Sequence, residues 1–380
     1  MSARHLYADV VIIGAGVAGC AAAIALRQQL PDLTVLLLDR KNRSAQSFTI
    51  GETLPPQTMP LLQQLGISEN FVARCDLVAL GTRSIWGSEQ INEYPFWYSS
   101  YGHGWHIDRA SFDDWLVRQA ENAGATTLFG VTVSGTPEYH HGWHLTANHA
   151  TAPAFTIQSS LVVDASGSSS SFCRRMGIRA DKLDQLTGSF CFFQAEANDT
   201  VHGVDSFTLV ESTEIGWWYS APLPQGLWVA ALMTDSDLAR DENVFDEAGW
   251  SKALAHTRLT RTRFDNKKPS MPLRVKPARS QRQQQFCGQG WYAVGDAASV
   301  FDPLSSLGIF KALRHGLLVS YAIRDELQDK PNATQKYQWL LESEFRRYQH
   351  MHQQYYQLEK RFMQAPFWLR RQRQEFARHA

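Results

Sequence analysis

The sequence predicts an α/β protein in which a parallel-sheet, dinucleotide-binding part is interleaved with a mostly antiparallel sheet and followed by a C-terminal helical segment. Three observations carry this. The apolar run 9–13 ends in Gly14, Gly16 and Gly19 and passes into the alanine-rich stretch 20–26, the pattern of a strand, a tight turn and a helix start. Residues 181–275 alternate apolar and polar positions, as a half-buried antiparallel sheet does. Tyr337, Leu341, Phe345, Tyr348, Met351, Tyr355, Leu358 and Phe362 recur every three or four positions, one apolar stripe along a long helix.

Length and composition bound the possibilities. At 380 residues the chain exceeds an ordinary single core, so length allows two interleaved domains or one large α/β unit with an inserted sheet. The 37 basic and 37 acidic side chains cancel, which argues against nucleic acid or an anionic membrane as partner. Aromatic residues reach 12%, with 12 Trp, enough to line a site for a flat ring beyond what the core takes. Cys20, Cys75, Cys173, Cys191 and Cys287 are odd in number and never paired as C-x-x-C, the usage of a reducing compartment. With no signal-peptide pattern before Asp9 and no apolar run of membrane-spanning length, a cytoplasmic protein is expected.

In the first turn, glycine is required three times over. Gly14 can take a backbone conformation barred to other residues, Gly16 lets the main chain approach a pyrophosphate, and Gly19 lets helix and strand pack closely. The free N–H groups at the helix start then face phosphate. A second apolar strand, 33–38, ends in Asp39, placed to accept from ribose hydroxyls, and the polar loop from Arg40 to Arg43 follows. Pro55 and Pro56 enforce an extended segment before a helix over 59–65. Residues 80–106 read as strand and loop, an early visit to a substrate layer. A helix restarts after Ile107, with Asp108 or Ser111 as its cap.

Short alternating runs over 126–163 suggest a meander. His140, His141, His144 and His149 lie in it, but strand neighbours alternate faces and no Cys or carboxylate completes a ligand set, so no metal site is expected. The run 161–163 ends in Asp164 and a Gly167 turn, and the run 291–294 ends in Gly295 and Asp296. The helix after Pro303 and Gly308 offers another N-terminus to an anionic or electron-rich group. The expected division is 1–85, 107–180 and 280–330 for the nucleotide-binding part, 86–106 and 181–279 for the sheet, and 331–380 for the helical region. Phe367, Trp368, Arg370 and Arg371 read as an exposed tail of the residue types that anchor interfaces.

Taken in order, Gly14 to Gly19 with Asp39, Asp108–Arg109, Asp164 to Gly167, and Gly295–Asp296 with Pro303 to Gly308 resemble the FAD-binding frame of flavoprotein monooxygenases of the p-hydroxybenzoate hydroxylase fold, over nearly the whole chain. That superfamily includes the flavin-dependent tryptophan halogenases. The resemblance implies a Rossmann-type FAD-binding domain. It implies that Asp296 bonds the ribityl chain, that Arg109 lies near flavin or pyrophosphate, and that the loop from Pro303 to Gly308 lies beside the isoalloxazine. Residues 51–55 and 216–222 are similar to halogenase segments, the latter with Tyr219 where the second Trp of that signature belongs and Ala221 in place of Ile.

Alignment on Gly81 puts Ala79 where halogenases carry their tunnel lysine, and no lysine occurs between Lys41 and Lys182. Their Ser-Thr-Gly halide loop is Ser306-Leu307-Gly308 here. The resemblance therefore points to hydroxylation of an aromatic ring with dioxygen and an external electron donor. There is no second G-x-G-x-x-G for a separate NAD(P)H domain. Size, the lost lysine and the tail make the chain most similar to the LodB/GoxB flavoproteins. This implies as substrate a peptidyl tryptophan in the precursor of a quinoprotein amino-acid oxidase, on the way to cysteine tryptophylquinone, with residues 366–380 as a docking candidate. The alternatives are a hydroxylase of free aromatic metabolites, a halogenase, and a non-catalytic flavoprotein chaperone. Glu52, Trp218, Tyr219 and Ser305 are the residues expected near the reacting ring.

Overall fold

The computed structural model describes residues 5–43, 53–75, 77–194, 206–265 and 267–373. At its centre five parallel strands run in the order Trp291–Ala293, Ala152–Asp164, His5–Ile13, Val35–Asp39 and Thr126–Phe129. Nearly every residue of 10–13 and 35–38 is buried, the continuous apolar run of a strand covered on both faces. Register aligns Ile13 with Leu38 and with Asp164, and Asp164 with Ala293. The Gly14–Gly19 turn, the 165–167 turn and the 294–297 turn therefore emerge at one edge, the carboxyl ends of the strands, where open parallel sheets take their ligands. Strands Val131–Tyr139 and Trp143–His149 continue from Ala152–Asp164 as the expected antiparallel meander.

The helix Val17–Gln29 buries Cys20, Ala21, Ala22, Ala23 and Ala25 because a second helix, Gly308–Leu327, lies directly on it. A Cβ at Gly316 would meet the Ala21 Cβ at 2.5 Å, so small residues set this separation. The helix Arg109–Asn122 is capped by Asp108, which accepts from the Ser111 N–H at 2.8 Å, so Asp108 and not Ser111 is the cap.

A second sheet of seven strands runs in the order Arg274–Pro277, Leu186–Gln194, Leu227–Asp235, Gly216–Leu223, Phe207–Thr213, Gly81–Ile85 and Ile91–Pro95. Only the Phe207–Thr213 and Gly81–Ile85 pair is parallel. Residues 81–85 thus lie in this sheet, outside the nucleotide-binding part expected to extend to residue 85. The strand Ala180–Lys182 pairs with Gln281–Gln283, which bridges the expected boundaries near 180 and 280.

The C-terminal helix Ala333–Leu358 buries Tyr337, Leu341, Phe345 and Tyr348 of the expected stripe, but Met351, Tyr355 and Leu358 are exposed, Phe362 lies beyond its end, and the buried face continues through His352 and Tyr356. The expectation of an exposed tail is overturned for Phe367, Trp368 and Arg371, while Pro366 and Arg370 are exposed. Phe367 and Trp368 are fully buried against Tyr356 and the antiparallel sheet. Arg371 is buried as well and forms an ion pair with buried Asp235 at 2.8 Å. Phe367, Trp368 and Arg371 complete a core and are not available for docking, whereas Arg370 stays exposed and pairs with Asp235 and Asp237. No helix among the described residues is long and apolar enough to cross a membrane.

Candidate functional site

A cavity of about 460 Å³ runs from the glycine turn to the antiparallel sheet. Its near end is backbone. Gly16, Gly167 and Gly308 all line it, and a Cβ built on any of the three meets nothing within 4 Å, so each side chain would project into open space. Gly14 and Gly19 answer a different demand. A Cβ at Gly14 would stand 2.3 Å from the Ala165 carbonyl oxygen, and one at Gly19 would stand 2.0 Å from that of Gly14. These two close the turn and Gly16 opens it. An open main-chain cradle at a helix N-terminus is what a pyrophosphate requires, so the residues present fit a bound dinucleotide.

The expected cofactor residues divide into those that face the cavity and those that shape its wall. Arg109, Asp296, Pro303, Ser305 and Gly308 line it. Arg109 is held by Asp113 four residues on, at 3.3 Å. Asp39 ends its strand beside the turn and accepts from the Ala15 N–H at 3.0 Å and the Lys41 N–H at 2.8 Å. Arg40 is exposed and is not part of the lining. Asp164 corrects the expectation that it contacts cofactor. It is fully buried, and its carboxylate accepts from the N–H groups of Ser166, Phe172 and Cys173 and from the Ser166 hydroxyl. It builds the turn from within.

On the sheet side the wall is Trp217, Tyr219, Met233 and Gly188, with Thr53 and Lys276 at its edges. Tyr219 and Ser305 both line the cavity. Trp218 does not, because successive residues of a strand point to opposite faces. Trp217 and Tyr219 share the cavity face, whereas Trp218 packs on Trp250 in the core behind the sheet, ring centroids 5.0 Å apart. Glu52 lies outside the described residues.

Two polar networks join the wall. In the first, the Thr53 hydroxyl is within reach of Tyr219 Oη (3.5 Å), Thr208 Oγ1 (2.9 Å) and His106 Nδ1 (3.1 Å). The other His106 nitrogen, Nε2, is 3.0 Å from the Ser206 carbonyl, which can only accept. Nε2 therefore carries the proton, and Nδ1 is an acceptor aimed at Thr53. In the second, the Trp217 indole N–H donates to Tyr356 Oη at 2.9 Å, and that hydroxyl donates to Asp302 at 2.8 Å. Asp302 also takes His352 Nε2 at 3.0 Å. Burial opposes its ionisation, but the bond to His352 and the Leu304 N–H outweigh burial and hold it below the usual carboxylate range. The loop that begins at Pro303 is therefore fastened to the C-terminal helix by a charged anchor.

A third contact was not foreseen. Lys311 is almost wholly buried yet charged in its bonding, donating to Asp296 Oδ1 at 2.9 Å and to the Ser299 carbonyl, with its ammonium 4.3 Å from the Phe301 ring centre. A lysine one turn into the helix Gly308–Leu327, within its apolar first turns and 15 residues after Asp296, was the signal in the sequence.

The tryptophan halogenase family profile matches residues 9–103 and 79–379. The chain is 29% identical to LodB of Marinomonas mediterranea, named as an FAD-dependent oxidoreductase, across 98% of this chain and 99% of that one. Its fold is similar to that of the myxobacterial chondrochloren halogenase CndH, with a TM-score of 0.85, 20% identity and coverage of 98% of this chain and 87% of CndH. It also resembles QhpG, described as a peptidyl tryptophan dihydroxylase essential for tryptophylquinone cofactor biogenesis, with a TM-score of 0.74, 23% identity and coverage of 96% and 79%.

Proposed function

The chain belongs to the tryptophan halogenase family of FAD-dependent enzymes, and from that premise we propose that it is a monooxygenase hydroxylating an aromatic ring, the side chain of a tryptophan in a partner quinoprotein precursor. The observation that carries the reading is Ala79. By the resemblance it takes the position of the halogenase lysine, and it is fully buried in the short strand Val78–Ala79, a methyl group in place of an amine. The likeness to LodB over both full lengths and to QhpG supports a place in quinone cofactor formation.

In this reading residues 1–80 (with 107–180 and 280–330) hold FAD through the glycine turn, Asp39, Arg109, Asp296 and the Pro303–Gly308 loop, and the seven-stranded sheet receives the substrate. When bound and reduced, FAD supplies the two electrons that split dioxygen, one oxygen entering the ring and the other leaving as water. The protein's share is positioning, water exclusion and the proton. Trp217, Tyr219 and Met233 form an apolar wall against which an indole packs and from which water is displaced. The proton released when the ring regains aromaticity passes to the Thr53 hydroxyl oxygen as the Thr53 proton moves to His106 Nδ1. His106 keeps its own proton on Nε2, donated to the Ser206 carbonyl, and becomes an imidazolium as Nδ1 accepts the second.

The test is to supply reduced, FAD-loaded enzyme with dioxygen and a quinoprotein precursor and to map the product by peptide mass spectrometry. The expected result is oxygen on a single tryptophan; an unmodified precursor refutes the reading. One observation favours a second reading, halogenation, because Lys276 on the edge strand Arg274–Pro277 lines the cavity. A halide-dependent product from free tryptophan or the precursor selects it. Turnover of a small free indole without a partner selects hydroxylation of metabolites instead.

A further inference from the structure

We propose that Lys311 is a built-in counter-charge that allows Asp296 to face an anionic cofactor, making it a positioning residue for FAD binding. The inference rests on the reading that the cavity holds FAD. An aspartate in the lining is awkward there. Asp296 keeps 48% of its side chain exposed to the cavity, while the ligand brings a pyrophosphate with two negative charges. A carboxylate is useful because it accepts from sugar hydroxyls, but left alone it would repel the group that the glycine turn attracts.

Lys311 removes that conflict from behind. Its side chain is 1% exposed, so the ammonium has no access to solvent and makes its bonds inside the protein. Two of its three donors go to Asp296 Oδ1 and the Ser299 carbonyl, and the cation rests on the Phe301 face. One carboxylate oxygen is thereby fixed and neutralised, while the rest of the Asp296 side chain stays on the cavity.

The neighbouring titratable groups of the same helix have a bonded partner of their own, although Lys311 also lends charge to Glu344 from a distance. Arg314 and His315, on the same helix, are both bonded to Glu344 of the C-terminal helix, and His315 Nδ1 accepts from the Gly295 N–H at 3.1 Å. Neither side chain shares its partner with Asp296, so among these groups the neutralising charge is that of Lys311. A lysine that only filled the core would gain nothing from the aspartate's identity, whereas a counter-charge is needed only while residue 296 is an anion.

That difference defines the experiment, a double-mutant cycle read by FAD dissociation constants from flavin fluorescence, with thermal melts of each apoprotein. Lys311→Gln is expected to weaken FAD by about ten- to a hundredfold, the scale of one uncompensated charge beside a charged ligand. Asp296→Asn in that background is expected to restore affinity to within about threefold of Asp296→Asn alone, because the coupled pair is then removed together. Parental affinity in Lys311→Gln, or no recovery in the double variant, overturns the proposal. If Lys311→Gln does not fold, the comparison of Asp296→Asn with Asp296→Asn/Lys311→Gln still decides, since a further loss of about tenfold there shows a role independent of Asp296. Loss of FAD on Gly16→Val with no effect of Lys311→Gln leaves the cavity assignment standing and this inference refuted; retention of FAD in Gly16→Val refutes the assignment itself.

Discussion

Replacing Gly16 by valine separates binding from folding, because the three turn glycines serve different ends. Gly16 has φ −79° and ψ −173°, extended backbone open to any residue, and a Cβ there meets nothing within 4 Å. Filling the site with a side chain narrows the unfolded ensemble, a gain of about 0.4–1 kcal/mol. Glycine is also a better helix cap than an aliphatic residue, a loss of similar size at this N-cap position. Apoprotein stability is therefore expected to stay within about 1 kcal/mol of the parent. The branched side chain stands where a phosphate must come, and losing one charge-assisted N–H bond costs about 1.5–3 kcal/mol, or roughly ten- to a hundredfold in FAD affinity. Gly14→Ala and Gly19→Ala are the contrast, since each Cβ would lie within 2.3 Å of a backbone oxygen and Gly14 has φ +114°. Those variants are expected to lose stability first and flavin as a consequence. Titration of apoprotein with FAD, alongside thermal melts, distinguishes the patterns. A Gly16→Val protein that binds FAD within about threefold of the parent, or that melts like Gly14→Ala, refutes the assignment of the turn.

Trp217→Phe removes an indole bonded to Tyr356 on the cavity face and is expected to cut product formation while FAD affinity holds. Trp218→Phe is expected to leave turnover unchanged, as its ring lies behind the sheet and its N–H has no partner among the described residues; steady-state assays of both separate the faces. Burial works against the Glu344 carboxylate, yet its bonds to His315 and Arg314 pull its pKa from 4.5 down to about 2. A lowered carboxylate adds stability above the unfolded pKa that is lost as pH falls through the folded one. About 3 kcal/mol should therefore disappear between pH 4.5 and 2 in denaturant titrations, and Glu344→Gln should flatten that window. Arg371→Met leaves Asp235, which is 2% exposed, with Arg370 at 2.9 Å as its remaining cation, so the double variant Arg370→Met/Arg371→Met is the one that strands it and should cost about 3–5 kcal/mol on thermal or denaturant unfolding; a neutral outcome would return this part of the tail to the surface.

What the sequence made legible were positions where backbone physics leaves one residue type. Gly14 and Gly19 are forced by carbonyls a few ångströms away, and Asp296 follows a buried strand at the carboxyl edge of the sheet. Asp39, Asp164 and Asp296 look alike by that rule, each an acid at the end of an apolar run. Only the fold shows that Asp164 is spent on four internal hydrogen bonds while Asp296 faces the cavity. The choice of Trp218 over Trp217 is a different kind of miss. Alternation along Gly216–Leu223 makes adjacent residues mutually exclusive on one face, so Trp218 and Tyr219 could not both reach one ring. Motif likeness counts positions and says nothing of faces.

The C-terminal helix shows why the remainder was hidden. The expected stripe packs as far as Tyr348, beyond which Met351, Tyr355 and Leu358 are exposed and the buried face runs through His352 and Tyr356 instead. Tyr348, His352 and Tyr356 are the polar members of that buried face, and all three converge on Asp302 from 46, 50 and 54 residues away. Glu344 reaches the other flavin loop through His315 and the Gly295 N–H. Apolar periodicity locates such a helix, but it cannot reveal that the helix braces the two loops of the site, because the bonded partners are separated by whole elements. It also follows that Asp302, 1% exposed, depends on residues 348–356 for its compensation. The helical region is then part of the cofactor scaffold rather than an appendage, and a chain ending before it would leave a buried carboxylate with neither histidine nor hydroxyl to hold it.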